Sequence, residues 1–261
     1  MSSERVVVVI GGAKGIGLGC VLKFLGEGAT VYCADWDEGA LKELKDSKLG
    51  SNLHTTKIDA SSESEVQTFA ANVAKSHPKI AALVNSAGIQ TYGTVTETSE
   101  ELWDRTFDVN VKAMFLTAKH FTPLLKANGG GAIVNVSSVQ SLVTQRGVVA
   151  YAASKGAING LTRALAVDLA DFQIRANAVL PGSVDTPMLR SAAELFKGKK
   201  SVDEILKEWG KSHPLGRVAK PAEIGDLVAF LCSDAGAFIT GGFYTIDGGL
   251  TSQVPVVLPQ E

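Results

Sequence analysis

The sequence predicts an α/β fold, a doubly wound parallel sheet of about seven strands flanked by helices in a single domain. Two observations carry this: apolar runs of strand length alternate with amphipathic stretches along the chain, and no linker or internal repeat divides residues 1–261. Residues 5–10 form a buried first strand, and a glycine turn then opens a helix that ends near Glu27. Residues 29–34 give strand two and the charged residues 38–45 a surface helix. Residues 53–58 give strand three, and the turn Asp59-Ala60-Ser61 is expected to cap a helix running to about Ser76. Strand four spans 80–85, and one long helix over 100–128 ends at Gly129-Gly130-Gly131. Strand five (132–137), a second long helix (150–170) and strand six (174–180) follow. The less regular stretch 185–213 has the length of a lid or substrate loop with short helices of its own. A helix over 221–232 and a strand at 243–246 close the domain, and the apolar tail 254–258 either docks on a neighbouring subunit or frays.

Composition narrows the function. A 45% hydrophobic chain of 261 residues buries a substantial core. A formal net charge of -2 advertises no basic surface for nucleic acid or an anionic membrane. Residues 6–10 are apolar only over strand length and meet glycine at once, so neither a signal peptide nor a membrane span is expected, and the chain is placed in the cytoplasm. Cys20, Cys33 and Cys232 are odd in number and widely spread; Cys20 and Cys33 lie in apolar segments and read as buried thiols of a reducing compartment. His54, His77, His120 and His213 lack ligand spacing and are assigned to the surface or loops, so no metal site is expected.

Gly11-Gly12-Ala13-Lys14-Gly15-Ile16-Gly17 sits between the first strand and its helix. Glycines there permit unusual backbone angles and let a pyrophosphate approach the helix N-terminus, the arrangement of a Rossmann-like dinucleotide site. Asp35, followed by Trp36, ends the second strand, where a carboxylate accepts both hydroxyls of the adenosine ribose. Its charge opposes the 2′-phosphate of NADP and points to NAD, whereas Lys14 would attract that phosphate. A partly buried anion facing a phosphate outweighs an exposed lysine.

These residues, with Asp59, Asn85-Ser86-Ala87-Gly88, Asn110, Ser138, Tyr151, Lys155, Pro181-Gly182, Thr186 and Ile246-Asp247-Gly248-Gly249, resemble the short-chain dehydrogenase/reductase family in its compact type, over nearly the whole chain. The resemblance implies that Gly11, Lys14, Gly15, Ile16, Gly17, Asp35 and Trp36 line the cofactor site, with Asp59 and Ala60 at the adenine. It implies that Asn85, Ala87 and Gly88 wall the cofactor, and that Pro181, Gly182, Val184 and Thr186 contact the nicotinamide carboxamide. Two departures stand out: Ile10 replaces the usual threonine before the first glycine, and Ser86 a common second asparagine.

Tyr151 and Lys155 are four residues apart on a predicted helix and so share a face. A free phenol is a poor base near neutrality, and a neighbouring ammonium is expected to lower its pKa. Ser138, at the end of strand five, is expected to hold the substrate oxygen, with Ser137 pointing the opposite way by strand alternation. The family implies that Lys155 also binds the nicotinamide ribose and that Asn110 anchors a water chain to it.

The expected activity is NAD(H)-dependent interconversion of a secondary alcohol and a carbonyl. Gln90, Gln140, Gln145 and Arg146 near the predicted pocket favour a sugar, polyol or hydroxy acid. The alternatives are an NADPH-dependent ketoreductase, for example on 3-oxoacyl groups, and a dinucleotide-binding regulator without turnover. The resemblance implies a homotetramer or homodimer.

Overall fold

The computed structural model describes residues 5–47 and 49–254. The remainder of the apolar tail, 255–258, lies outside the described residues. Seven parallel strands form one sheet in the order β3-β2-β1-β4-β5-β6-β7. They are β1 (Val6–Ile10), β2 (Thr30–Asp35), β3 (Leu53–Lys57), β4 (Ala82–Asn85), β5 (Gly131–Val136), β6 (Ile174–Pro181) and β7 (Phe243–Ile246). Strand order reverses between β1 and β4, which opens a crevice at their carboxyl ends.

Each strand of the centre is apolar on both faces because both are covered. In β1, Val6, Val8 and Ile10 join one core, whereas Val7 and Val9 join the other. The first core is closed by α3 (Glu63–Ser76), α5 (Ala113–Ala127) and α6 (Val149–Asp168), through Phe69, Phe121 and Ala166. The second is closed by α1 (Gly15–Gly26), α2 (Glu38–Asp46) and α9 (Pro221–Leu231), through Phe24, Leu41 and Val228. Helices α1 and α9 cross in backbone contact: a Cβ on Gly19 would lie 2.4 Å from the Pro221 carbonyl oxygen. Cys20, Cys33 and Cys232 are all buried free thiols.

Two local expectations are corrected. The long helix over 100–128 is interrupted: α4 (Glu100–Phe107) passes into a π-helical turn, Asp108–Lys112, before α5 resumes. Asn110 sits in that turn, and its side chain bonds across to the 85–89 segment, so tertiary contacts hold a helical distortion that propensity cannot show. Asp59 does not cap α3 either. The cap position is Ser62, and the Asp59 carboxylate instead accepts from the N–H and O–H of Ser61.

A polar ladder crosses the apolar sheet beneath the crevice. Asn85 Nδ2 donates to Asn135 Oδ1 (2.9 Å), and Asn135 Nδ2 donates to Thr162 Oγ1 (3.0 Å). Thr117 donates to Asn85 Oδ1 (2.8 Å). Satisfied in this way, the buried amides fasten β4, β5, α5 and α6 in one register. Asn135→Ala strands the Asn85 amide N–H and is expected to destabilise the protein by about 2–3 kcal/mol. Urea unfolding checks this, and a loss below about 0.5 kcal/mol would show the ladder to be dispensable.

Candidate active site

The crevice is built from the turns that leave β1, β4 and β6. Gly11 has φ +72°, and a Cβ there would lie 2.4 Å from Ala87 N; a Cβ on Gly17 would lie 2.0 Å from Gly11 O. Among the described residues no side chain caps α1, and its first turn carries no acid, so its leading N–H groups are open to an anion. Asp35 is buried, with Oδ2 accepting from Ala13 N–H (3.0 Å) and Oδ1 from Asp37 N–H (3.0 Å). Each oxygen keeps a lone pair for a hydroxyl donor. Trp36 beside it is 73% exposed, a bare indole at the rim. A glycine cradle, unpaired helix amides, an oriented carboxylate and an exposed aromatic fit a dinucleotide.

The other expected cofactor positions divide. Pro181, Gly182, Val184, Thr186 and Ile16 line the cavity that Tyr151 and Ser138 also line. Thr186 also caps α7 (Pro187–Phe196) by accepting from Leu189 N–H, and its methyl lies where a Cβ on Gly15 would come within 3.1 Å. Gly88 lies beside Asn110 Oδ1 and Lys155 Nζ. Asn85 is 1% exposed with its side chain spent on the polar ladder, so only its backbone faces the crevice. Asp59 is partly exposed, 3.9 Å from Arg105, and Ala60 is buried at 9% exposure.

Helix α6 carries Tyr151 and Lys155 into this crevice. Tyr151 is buried and hydrogen-bonded to the Ser138 side chain, and Ser138 Oγ also accepts from Gln140 N–H (3.1 Å). Ser137 turns away and donates to the Lys155 carbonyl (3.0 Å). Lys155 Nζ donates to Val136 O (3.0 Å) and stands 5.5 Å from the Tyr151 ring centre. Asn110 Oδ1 accepts from Ile89 N–H, while its Nδ2 donates to Ile89 O and to Ser154 Oγ.

The electrostatics differ from the sequence expectation in one respect. Burial pushes the Tyr151 phenol up to about 12, with the Ser138 hydrogen bond opposing it and Tyr92 adding to it. The neighbouring Lys155 does not bring the phenol below its ordinary value, and burial holds the lysine ammonium itself down to about 8. Desolvation therefore disfavours both charged forms.

A cavity of about 590 Å³ opens beside Tyr151 and Ser138. Gln90, Gln140 and Gln145 line it, as expected, whereas Arg146 is exposed and is not part of the lining. The stretch 185–213 forms α7 and α8 (Val202–Gly210), whose Met188, Leu189, Phe196 and Trp209 supply an apolar wall that sequence reasoning missed. Tyr92 faces this wall, with its ring 5.1 Å from that of Phe196. The amphipathic spacing of 188, 189, 192 and 196 was the available signal. His213 corrects another expectation, being buried at 3% exposure and part of the lining. Its Nδ1–H donates to the Asp247 carbonyl.

A family model described as enoyl-(acyl carrier protein) reductase matches residues 11–251. The chain is 40% identical over 255 residues to cyclopentanol dehydrogenase of Comamonas sp. (strain NCIMB 9872), covering 96% of this chain and 98% of that protein. It is 36% identical to dehydrogenase/reductase SDR family member 6 of Xenopus laevis, over 94% of this chain and 96% of that one. The ligand-free structure of Thermoplasma acidophilum aldohexose dehydrogenase superposes with a TM-score of 0.91 at 34% identity, covering 98% of both chains. The chain belongs to the short-chain dehydrogenase/reductase family. It is therefore an oxidoreductase that takes a nicotinamide dinucleotide and a small-molecule substrate. Among the described residues no helix is long and apolar enough to cross a membrane.

The buried lysine has a measurable consequence. Lys155 deprotonates near 8 when folded, whereas an unfolded lysine does so near 10.5, so between these values the unfolded chain binds more protons and stability rises with pH. Lys155→Met is thus expected to stabilise the cofactor-free protein by on the order of 2–3 kcal/mol at about pH 7, and by much less at about pH 10. Urea unfolding at both pH values checks this; an equal effect at each would show that the ammonium is not desolvated.

Proposed function

We propose that this protein interconverts an uncharged secondary alcohol and its ketone with NAD(H), using Ser138, Tyr151 and Lys155. The observation that carries the reading is Ser138 and Tyr151 together at the wall of one cavity, with Lys155 one helical turn beyond Tyr151 and bound to Val136 O. Bound there, oxidised nicotinamide supplies the hydride acceptor and a positive charge that favours the phenolate. Tyr151 Oη takes the alcohol proton. Ser138 Oγ, already oriented by Gln140 N–H, donates to the reacting oxygen and steadies its charge. Lys155, anchored on Val136 O, has further N–H groups for the ribose hydroxyls. Asn110 holds Ile89 and Ser154, and so positions the wall behind Lys155. Asp35 selects NAD by accepting ribose hydroxyls and opposing a 2′-phosphate. The protein is read as one domain, cytoplasmic, assembled as a homotetramer or homodimer.

The cavity sharpens the substrate class. Without Arg146, the described lining holds no lysine or arginine to receive a carboxylate, which removes the support for a hydroxy acid. The Tyr92, Phe196 and Trp209 wall suits a hydrocarbon ring, in line with the cyclopentanol dehydrogenase relative. Gln90, Gln140 and Gln145 support a second reading, a sugar or polyol, in line with the aldohexose dehydrogenase neighbour.

Tyr151→Phe is expected to lower turnover by roughly 10³-fold or more while leaving the Kd for NAD within about twofold. Steady-state rates and calorimetric binding check this, and near-normal turnover would sink the assignment. Between cyclopentanol and glucose as probes, the wild-type protein is expected to show the higher kcat/KM with cyclopentanol and NAD. A preference for glucose would favour the polyhydroxylated class.

A further inference from the structure

We infer that Asp37 is a second cofactor-selecting residue, one that disarms Lys14. The inference rests on the NAD reading and deepens it. Lys14 is the N-cap residue of α1 and follows Ala13, whose N–H is bound by Asp35, and an unpaired ammonium there would attract a 2′-phosphate. Its Nζ is instead bound to Asp37 Oδ2 at 2.5 Å. This hydrogen bond raises the Lys14 pKa and lowers that of Asp37, so both stay charged near neutrality.

An exposed ion pair is a weak device when both partners are free to move. This one is not free. Asp37 Oδ1 accepts from Ala40 N–H (2.9 Å) and caps α2, so the carboxylate cannot swing away without uncapping the helix. The Asp37 backbone N–H donates to Asp35 Oδ1 (3.0 Å), so one residue both orients the ribose carboxylate and holds the competing lysine. The same logic repeats across the sheet edge. Lys57, the register partner of Asp35 on β3, is bound by Glu38 at 2.9 Å. Two cations flanking Asp35 are thus neutralised by successive acids at the start of α2.

The test separates charge from capping, because Asp37→Asn keeps an oxygen acceptor for Ala40 N–H and removes only the charge. Calorimetric titration with 2′,5′-ADP and 5′-AMP, at low ionic strength, reads binding without turnover. Asp37→Asn is expected to tighten 2′,5′-ADP by about tenfold, or about 1.4 kcal/mol, with 5′-AMP changed by less than about twofold. Adding Lys14→Ala to that variant is expected to abolish the gain. The ratio of kcat/KM for NADP over NAD is expected to rise in parallel. Unchanged 2′,5′-ADP affinity in Asp37→Asn, or a gain that survives loss of Lys14, overturns the inference while leaving the NAD reading intact. A wild-type preference for 2′,5′-ADP over 5′-AMP overturns the NAD reading itself, and the inference with it.

Discussion

Between the ends of β1 and β4 the backbones of Gly11 and Ala87 come so close that a Cβ on Gly11 would lie 2.4 Å from the Ala87 nitrogen. This contact follows from the parallel pairing of the two strands, in which Ile10 stands opposite Asn85. The chain leaves both strands at one level and must turn away in opposite directions, which opens the crevice. Glycine at position 11 is required twice over, by its positive φ and by the approach of the second turn. The open amides of α1, the oriented Asp35 and the wall at Gly88 all depend on that spacing. The polar ladder from Asn85 to Thr162 keeps it from drifting.

Around the crevice, desolvation sets the chemistry. Lys155 is a buried cation held by a backbone carbonyl, and Tyr151 a buried phenol held by a serine hydroxyl. Each is discouraged from charging by its own surroundings. Such a site keeps the phenol neutral and lowers the pKa of the lysine toward neutrality, so a charged partner can shift the balance. The cost of burying the lysine is met by the surrounding packing, which is the usual relation between stability and a functional centre.

Much of this was legible in the chain. Strands buried on both faces read as apolar runs, so the β1 sequence VVVVI declares itself, and helices announce themselves by a charged face, as α2 does. The glycine turn and Asp35 are readable from their places at strand ends, the shared face of Tyr151 and Lys155 from helical rise, and Ser138 from the resemblance to the family. The π-turn at Asn110 was not readable. It is stabilised by bonds to Ile89, 21 residues away, rather than by anything in its own helix. Arg146 misled for a related reason, since proximity in sequence to Gln145 says nothing about which way a loop side chain turns.

What the sequence by itself determined is therefore the sheet, its glycine turn and the helix that carries Tyr151 and Lys155, because period and glycine placement act locally. Tertiary structure alone decided three things: that α7 and α8 bring an apolar wall over the cavity, that His213 is buried against Asp247, and that Lys14 is held by Asp37. Each is a contact between segments separated by more than twenty residues. Burial, charge pairing and substrate shape arise from such contacts, which local pattern does not encode.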